Sequence, residues 1–323
     1  MISKLYDKAS TDPSQCNGCG VCMLSCPVWR QHHTKGLTYC GRNRASIGGA
    51  AEEELASSAQ ACILCGSCEP LCPMGIRTQQ ITMALRQRLV QQGLLPNPGS
   101  KSGSFTPETI AASRVLLPGR ALRSDAKLMA SVLLLLGQGA ACSPDDGEDI
   151  ALALESGREI SDTRVKEFTE PLLRAAEVIV SDGLLHNLLR SLLPPSLAVR
   201  SLGQALLANP KVRAGLKPTD FYMIETRAYN ANHRDFAVLY GAVRRGAGCF
   251  MNLDLHRVAT PTGAASLQHR EGLTETISIE AQMTWLLEGR NAERIVVEHL
   301  DDYAAFAKYT RLPVVHLAEV ATP

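Results

Sequence analysis

The pattern of apolar and polar positions divides the chain into three stretches. Up to about residue 95, short helical stretches separate two dense cysteine runs. Residues 96–109, beginning PNPGSKSGS, are rich in Pro, Gly and Ser and read as a linker. From about 110 onward, short apolar runs alternate with helical patterns, as βαβ units do.

The third stretch looks internally duplicated. Its first half, 110–210, predicts a strand at Arg114–Leu117, a helix from Ser124, a strand at 178–182 and a helix at 183–193. Pro194, Pro195 and a short apolar segment before Leu202 follow. The second half, 211–323, predicts a strand at 220–225, a helix at about 232–244, a strand at 295–298, a helix at 301–309 and a closing segment at 313–317. Strand, turn, amphipathic helix, proline and short strand recur in one order, which fits two pseudo-symmetric α/β lobes.

Composition adds little until the cysteines are counted. Over 323 residues, 45% hydrophobic and 20% charged content is ordinary for a globular protein. With 33 basic and 32 acidic residues the net charge is +1, so nothing points to nucleic acid. The most apolar run, 128–141, is shorter than the roughly 20 residues a spanning helix needs. It contains Gly137, Gln138 and Gly139, and reads as a buried helix running into a turn. The N-terminal MISKLYDKASTDPSQ has no apolar core of a secretory signal. The expectation is a cytoplasmic chain without a transmembrane segment, reaching a membrane only through a partner.

Eleven cysteines, nine of them between Cys16 and Cys72, change the picture. Without an export signal, such density points to metal rather than disulfides. Cys16, Cys19, Cys22 and Cys26 with Pro27, and Cys62, Cys65, Cys68 and Cys72 with Pro73, each spell C-x2-C-x2-C-x3-C-P. Two-residue gaps let a tight loop present three thiolates to three irons of one cube. Gly18, Gly20 and Gly66 let backbone approach inorganic sulfide. In two-cluster proteins the fourth cysteine of each run serves the other cluster. The expected cofactors are therefore two [4Fe–4S] clusters, one held by Cys16, Cys19, Cys22 and Cys72, the other by Cys62, Cys65, Cys68 and Cys26. Two structural zinc sites are the alternative, but zinc ribbons use paired C-x2-C arms. The expected fold class is α+β overall: a helical two-cluster ferredoxin domain at 1–95, then a pseudo-duplicated α/β domain at 110–323.

The remaining candidates near the clusters read as structural. Cys40 reads as a spare buried thiol, and Trp29, His32 and His33 as packing or capping groups. Arg30, Arg42 and Arg44 either raise cluster potential through their charge or are simply solvated.

The order of dicluster ferredoxin, linker and two α/β lobes resembles the iron–sulfur subunits of glycolate oxidase, of lactate-utilisation systems and of anaerobic glycerol-3-phosphate dehydrogenase. It also resembles a fusion of the C and B subunits of heterodisulfide reductase. The resemblance implies a Cys-Cys-Gly motif in each lobe. Asp145 and Asp146 stand where the first pair would fall, before Gly147; Pro261 and Thr262 stand at the second, before Gly263. The later cysteine expected at about 299–302 is absent, and Cys142 with Cys249 cannot supply four ligands. The lobes therefore read as degenerate relatives of a catalytic domain, without a cluster.

Asp145, Asp146 and Glu148, and Asp301 with Asp302, precede predicted helices and read as caps; a paired-carboxylate metal site is the sharper alternative for the first group. Segment 251–257, with Asp254, His256 and Arg257, reads as a surface loop rather than an anion site. No P-loop, G-x-S-x-G or G-x-G-x-x-G follows a strand. The expected function is relay of single electrons within an oxidoreductase complex, with protein redox partners. The resemblance implies that one of them carries flavin. A catalytic reductase working through the lobes, and an assembly or docking scaffold, are the alternatives.

Overall fold

The structure is a computed structural model that describes residues 12–96, 112–255, 257–271, 273 and 276–321. Most of the predicted linker, and His256, lie outside these residues.

The N-terminal region is helical, with helices Pro27–His32, Tyr39–Ile47, Glu52–Ala61 and Thr78–Gln91 framing the two cysteine runs. The Thr38 hydroxyl caps the second of these helices by accepting from the Gly41 N–H at 3.2 Å.

Two parallel sheets follow. The first comprises β1 (Arg114–Leu117), β2 (Ala140–Cys142), β3 (Glu177–Val180) and β4 (Ala198–Ser201), in the order β2-β1-β3-β4. The second takes β5 (Asp220–Met223) and β6 (Phe250–Met251) from before a small antiparallel pair, β7 (Leu253–Asp254) with β8 (Val258–Ala259). It is completed by β9 (Arg294–Val297) and β10 (Val314–His316), in the order β10-β9-β5-β6. Numbered from its own first strand and read from its other edge, the second sheet has the same winding as the first. The duplication expected from the sequence is thus a duplication of topology.

Alternation along the central strands explains how the sheets meet. Leu116 and Ile179 of the first sheet share one buried cluster with Tyr222 and Val296 of the second. Their neighbours face outward into separate clusters: Val115, Leu117, Val178 and Val180 on one side, Phe221, Met223, Ile295 and Val297 on the other. Both faces of each central strand are covered, which is why these strands read as continuous apolar runs. Tyr222, Tyr229, Phe236 and Tyr240 fill the shared core with edge-on and tilted ring contacts.

The apolar run at 128–141 departs from the expected helix and turn. Helix Ala126–Leu136 ends at Gly137 (φ 90°), and the chain then re-enters the first sheet as edge strand β2. The helix expected from Ser124 is two, Gly119–Ser124 and Ala126–Leu136, divided by the cap Asp125. Segment 251–257 is not a plain surface loop. Asn252 is buried and bonds Ile224 N and O and Thr260 O, so it stitches β5 to the small hairpin.

Candidate metal centres

Both cysteine runs turn on a glycine at the same place. Gly20 follows Cys19 with φ 76°, and Gly66 follows Cys65 with φ 71°, a region that costs other residues strain. Cys26 then serves as the N-cap position of helix Pro27–His32, with Pro27 preset for the first turn.

The fold brings the runs together in a crossed manner. Burial, then Cys40, Cys26, Cys16 and Cys72, pushes the Cys22 thiol up to about 12. Burial, then chiefly Cys65 and, more weakly, Cys62, pushes Cys26 up to about 12, against lowering backbone bonds. The last cysteine of the first run thus lies among those of the second. The last cysteine of the second, Cys72, acts on Cys22 of the first. Cys26, Cys62, Cys65 and Cys68 also line one cavity, together with Cys22 of the first run and the apolar Val28, Ile63 and Leu64.

This setting fits a cluster better than a single ion. Among the described residues, no three His, Cys, Asp or Glu side chains close on a point as zinc ligands do. The Thr78 hydroxyl lies 2.8 Å from Cys68 Sγ and 3.4 Å from Glu69 Oε1, and to a thiolate it could only donate, giving up the longer bond. Two buried guanidinium groups stand near the cavity: Arg86 donates to Cys62 O and Arg227 to Ile63 O, and Arg227 shares the Glu155 carboxylate with Arg270. A cube with four thiolate ligands is an anion, which such groups would favour.

Glu155 is the joint between the three parts of the chain. It bonds Arg227, and also Arg270 and the Leu267 N–H, the last at 2.7 Å. Burial alone would raise its carboxyl, but Arg227 and Arg270 outweigh burial and hold it below the usual range. From this joint the arginines reach the second cysteine run. Arg86 donates to the carbonyls of Ala59, Gln60, Cys62 and Glu155, and Arg227 donates to Ile63 O at 3.2 Å. Gln79 donates to Leu64 O, Asn230 to Cys65 O, and Ser67 to Ala259 O, at 2.8, 3.0 and 3.0 Å. Successive carbonyls from Cys62 to Cys65 are thereby held by side chains from outside the run. Each arginine and asparagine is unremarkable in its own sequence window, so no local signal marks them.

The other candidates sort by contact. Cys40 is 1% exposed, as expected of a buried thiol, and stands beside Cys22. Trp29 packs edge-on against His33 at 5.9 Å. His32 bonds Thr276 O. Arg30 is half-buried: it stacks 3.4 Å over the Trp285 ring and bonds Gln282. Arg42 is buried on Ser58 and Thr82, while Arg44 stays at the surface and reaches Cys16 O at 3.3 Å.

In the segments at 145–147 and 261–263 the carboxylates are already engaged. Asp145 pairs with Arg164 at 2.7 Å and caps Gly147 N, while Asp146 pairs with Arg123 at 3.2 Å and accepts from Glu148 N. Thr262 donates to Asp302 at 2.5 Å. Gly147 and Gly263 sit where packing leaves no room: a Cβ on Gly147 would lie 2.6 Å from Phe168, and one on Gly263 2.6 Å from Ile277. A cavity of about 470 Å³ lies at the C-terminal ends of β1, β3, β9 and β10, between the lobes, and includes Asp146, Glu148, Asp182, Glu298 and His299 in its lining. It occupies the topological switch point of the first sheet, where open α/β sheets bind ligands. Its Glu148 and Asp146 are paired with Arg120 and Arg123.

Residues 12–76 match the family described as the 4Fe-4S dicluster domain. No curated protein and no solved structure matches the chain. The N-terminal region is thus a dicluster module that binds two [4Fe–4S] clusters, and no helix among the described residues is long and apolar enough to cross a membrane.

Proposed function

We propose that the chain is an electron-transfer subunit of an oxidoreductase complex. The first cluster is held by Cys16, Cys19, Cys22 and Cys72, the second by Cys62, Cys65, Cys68 and Cys26. The observation that carries this reading is the crossed neighbourhood of the thiols, in which each run closes on the other. The clusters supply reversible one-electron reduction.

The chain's own residues do the rest. Crossed ligation ties both runs into one unit and keeps the clusters close. Ser25 strengthens the tie by donating to Ser67 O at 2.7 Å. Apolar walls exclude water from the second cavity. Cys19 is exposed, and so are Val21, Leu24 and Met74 in the loops that carry the first cluster's ligands. A protein partner meets the first cluster, and the second lies deeper against the lobes.

In this reading 1–95 is the ferredoxin domain, 96–109 the linker, and 110–210 and 211–323 the lobes, which mount the second cluster and do no disulfide chemistry. The partner is a protein, and the likeness to heterodisulfide reductase and glycolate oxidase subunits favours a flavoprotein in the cytoplasm. Iron and sulfide analysis of anaerobically purified protein tests the ligation: about eight of each per chain is expected. Markedly more iron would move the chemistry to the lobes. Purification from native cells tests the role: a chain that comes alone and reduces no flavoprotein would sink it.

A further inference from the structure

Tyr39 stands on the wall of the cysteine cavity with a polar atom that has no partner. Its hydroxyl is buried and makes no hydrogen bond, although the whole residue is only 7% exposed. Leaving a buried hydroxyl unpaired costs about 1–3 kcal/mol, so a partner belongs there. The ring stands on the wall of the cavity that Cys26, Cys62, Cys65 and Cys68 line. Burial first, then the charges of Cys16, Cys68 and Cys72, pushes its hydroxyl above the ordinary range. A tyrosine hydroxyl keeps its proton at neutral pH, and the cavity wall that Tyr39 joins carries thiols of both ligand sets, Cys22 as well as Cys26, Cys62, Cys65 and Cys68.

The ring is also fixed in place. Tyr39 opens helix Tyr39–Ile47, whose start is pressed onto the preceding turn so closely that a Cβ on Gly41 would lie 1.9 Å from Lys35 O. The Arg42 guanidinium lies 5.7 Å from the ring centroid and is itself anchored on Ser58 and Thr82. The hydroxyl has little freedom to turn elsewhere.

We propose that the Tyr39 hydroxyl donates a hydrogen bond to sulfur in the gap between the two clusters and holds up the reduction potential of the cluster it touches. The proposal rests on the crossed ligation set out above. A donor to sulfur stabilises the more negative, reduced state, and hydrogen bonds to sulfur are among the terms that set cluster potentials. Tyr39 is a positioning residue here: it takes no electron and ligates no iron.

The test is a redox titration, followed by EPR, of anaerobic wild-type protein and Tyr39→Phe, each with its iron and sulfide content measured. The substitution keeps the ring and removes one oxygen. Expected is unchanged iron and sulfide, with one midpoint potential lowered and the other in place. A roughly tenfold loss in that cluster's reduction equilibrium would read as 59 mV for one electron. Unmoved potentials with full clusters would overturn the proposal. So would loss of a cluster while the surviving potential stays put, which is what a purely structural tyrosine would give. Should wild-type protein itself hold about four irons, the ligation reading fails separately. Tyr39 is then judged on the single cluster: a lowered potential supports it and an unchanged one overturns it.

Discussion

Cys19 of the first cysteine run is exposed, whereas Cys65, at the equivalent place in the second, is buried. The spacing is identical, so the difference comes from what surrounds each run. The first is touched from within its own region, by Arg44 at Cys16 O and by Asn43 at Pro13 O. The second is held along successive carbonyls by Arg86, Arg227, Gln79 and Asn230, two of which belong to the second lobe. One ligand motif has been given two mountings: an open one fit for exchange with a partner, and a rigid one built from the α/β lobes. Lobes with only Cys142 and Cys249, too few to ligate a cluster, keep a use in this arrangement.

Removing the joint should separate the two mountings most. Glu155→Ala leaves Arg227 buried, and Arg270 half-buried, without their paired carboxylate, a change that typically costs about 3–5 kcal/mol. The second run then loses its frame while the first does not. Iron should fall from about eight towards about four per chain, with the EPR signal of one cluster remaining. Equal loss of both clusters would show that the runs share a single mounting.

A change inside the lobes, away from the runs, sharpens the comparison from the other side. Burial pushes Glu298 up to about 7 from 4.5, although Tyr222, Tyr240 and Glu225 N all bond it. The folded state therefore prefers the neutral acid. Its contribution is complete below pH 4.5 and is lost as pH rises through 7. Asp302, raised to about 6, acts in the same direction. Buried His186 and His316, lowered to about 4 from 6.5, act oppositely: their contribution is complete above pH 6.5 and is lost as pH falls through 4. The two sets offset each other near pH 5–6. Glu298→Gln removes one side, so its stability, followed by unfolding temperature, should gain on the wild type as pH rises from about 5 to 7, by an amount on the order of 2 kcal/mol. Iron content should not change. A parallel pair of pH profiles would contradict the account, and loss of iron would mean that lobe stability alone decides whether the second cluster is kept.

Asn230→Ala is a gentler cut at the second mounting. It removes the donor to Cys65 O and Ala259 O and the acceptor for Ala259 N. Loss of such a buried network costs about 1–3 kcal/mol. The second cluster should be released several-fold faster on exposure to a chelator, followed by absorbance, while the first keeps its rate. Equal acceleration of both would argue against a local role.

What could be read in advance followed period and spacing. The eight cysteines announced the clusters, and β1, β3, β5 and β9 announced themselves because their residues are apolar on both faces. Edge strand β2 was hidden at the end of a run that begins as helix, since Ala140–Cys142 has the same apolar character as Leu133–Leu136 and only the glycines between them break it. Asn252 was misplaced on a surface loop because a buried asparagine looks polar in sequence whatever it bonds. Above all, the mounting was illegible. Glu155, Arg86, Arg227 and Asn230 meet only after three parts of the chain have packed, and no single window contains more than one side of any of those contacts. The acidic turn that opens the helix at Glu148 was legible because it is local, although the N-cap position is Gly147 and the aspartates accept from the turn N–H groups instead.

The smallest effect is expected at the open mounting. Arg44 lies along Gly18, with its Cδ 3.1 Å from where a Cβ would be, and donates to Cys16 O from the surface. Water can replace that bond when the side chain is cut back, so Arg44→Ala should alter stability by no more than about 0.5 kcal/mol. Its charge, however, sits beside the first ligand of the first cluster. Removing a cation there favours the oxidised state, and the first cluster's potential should fall slightly while iron content and the second potential hold. Salt should shrink the difference, because an exposed charge is screened over about 10 Å at 0.1 M. A shift that survives high salt would place Arg44 in a buried setting, and the contrast between an open first run and a framed second one would then be drawn too sharply.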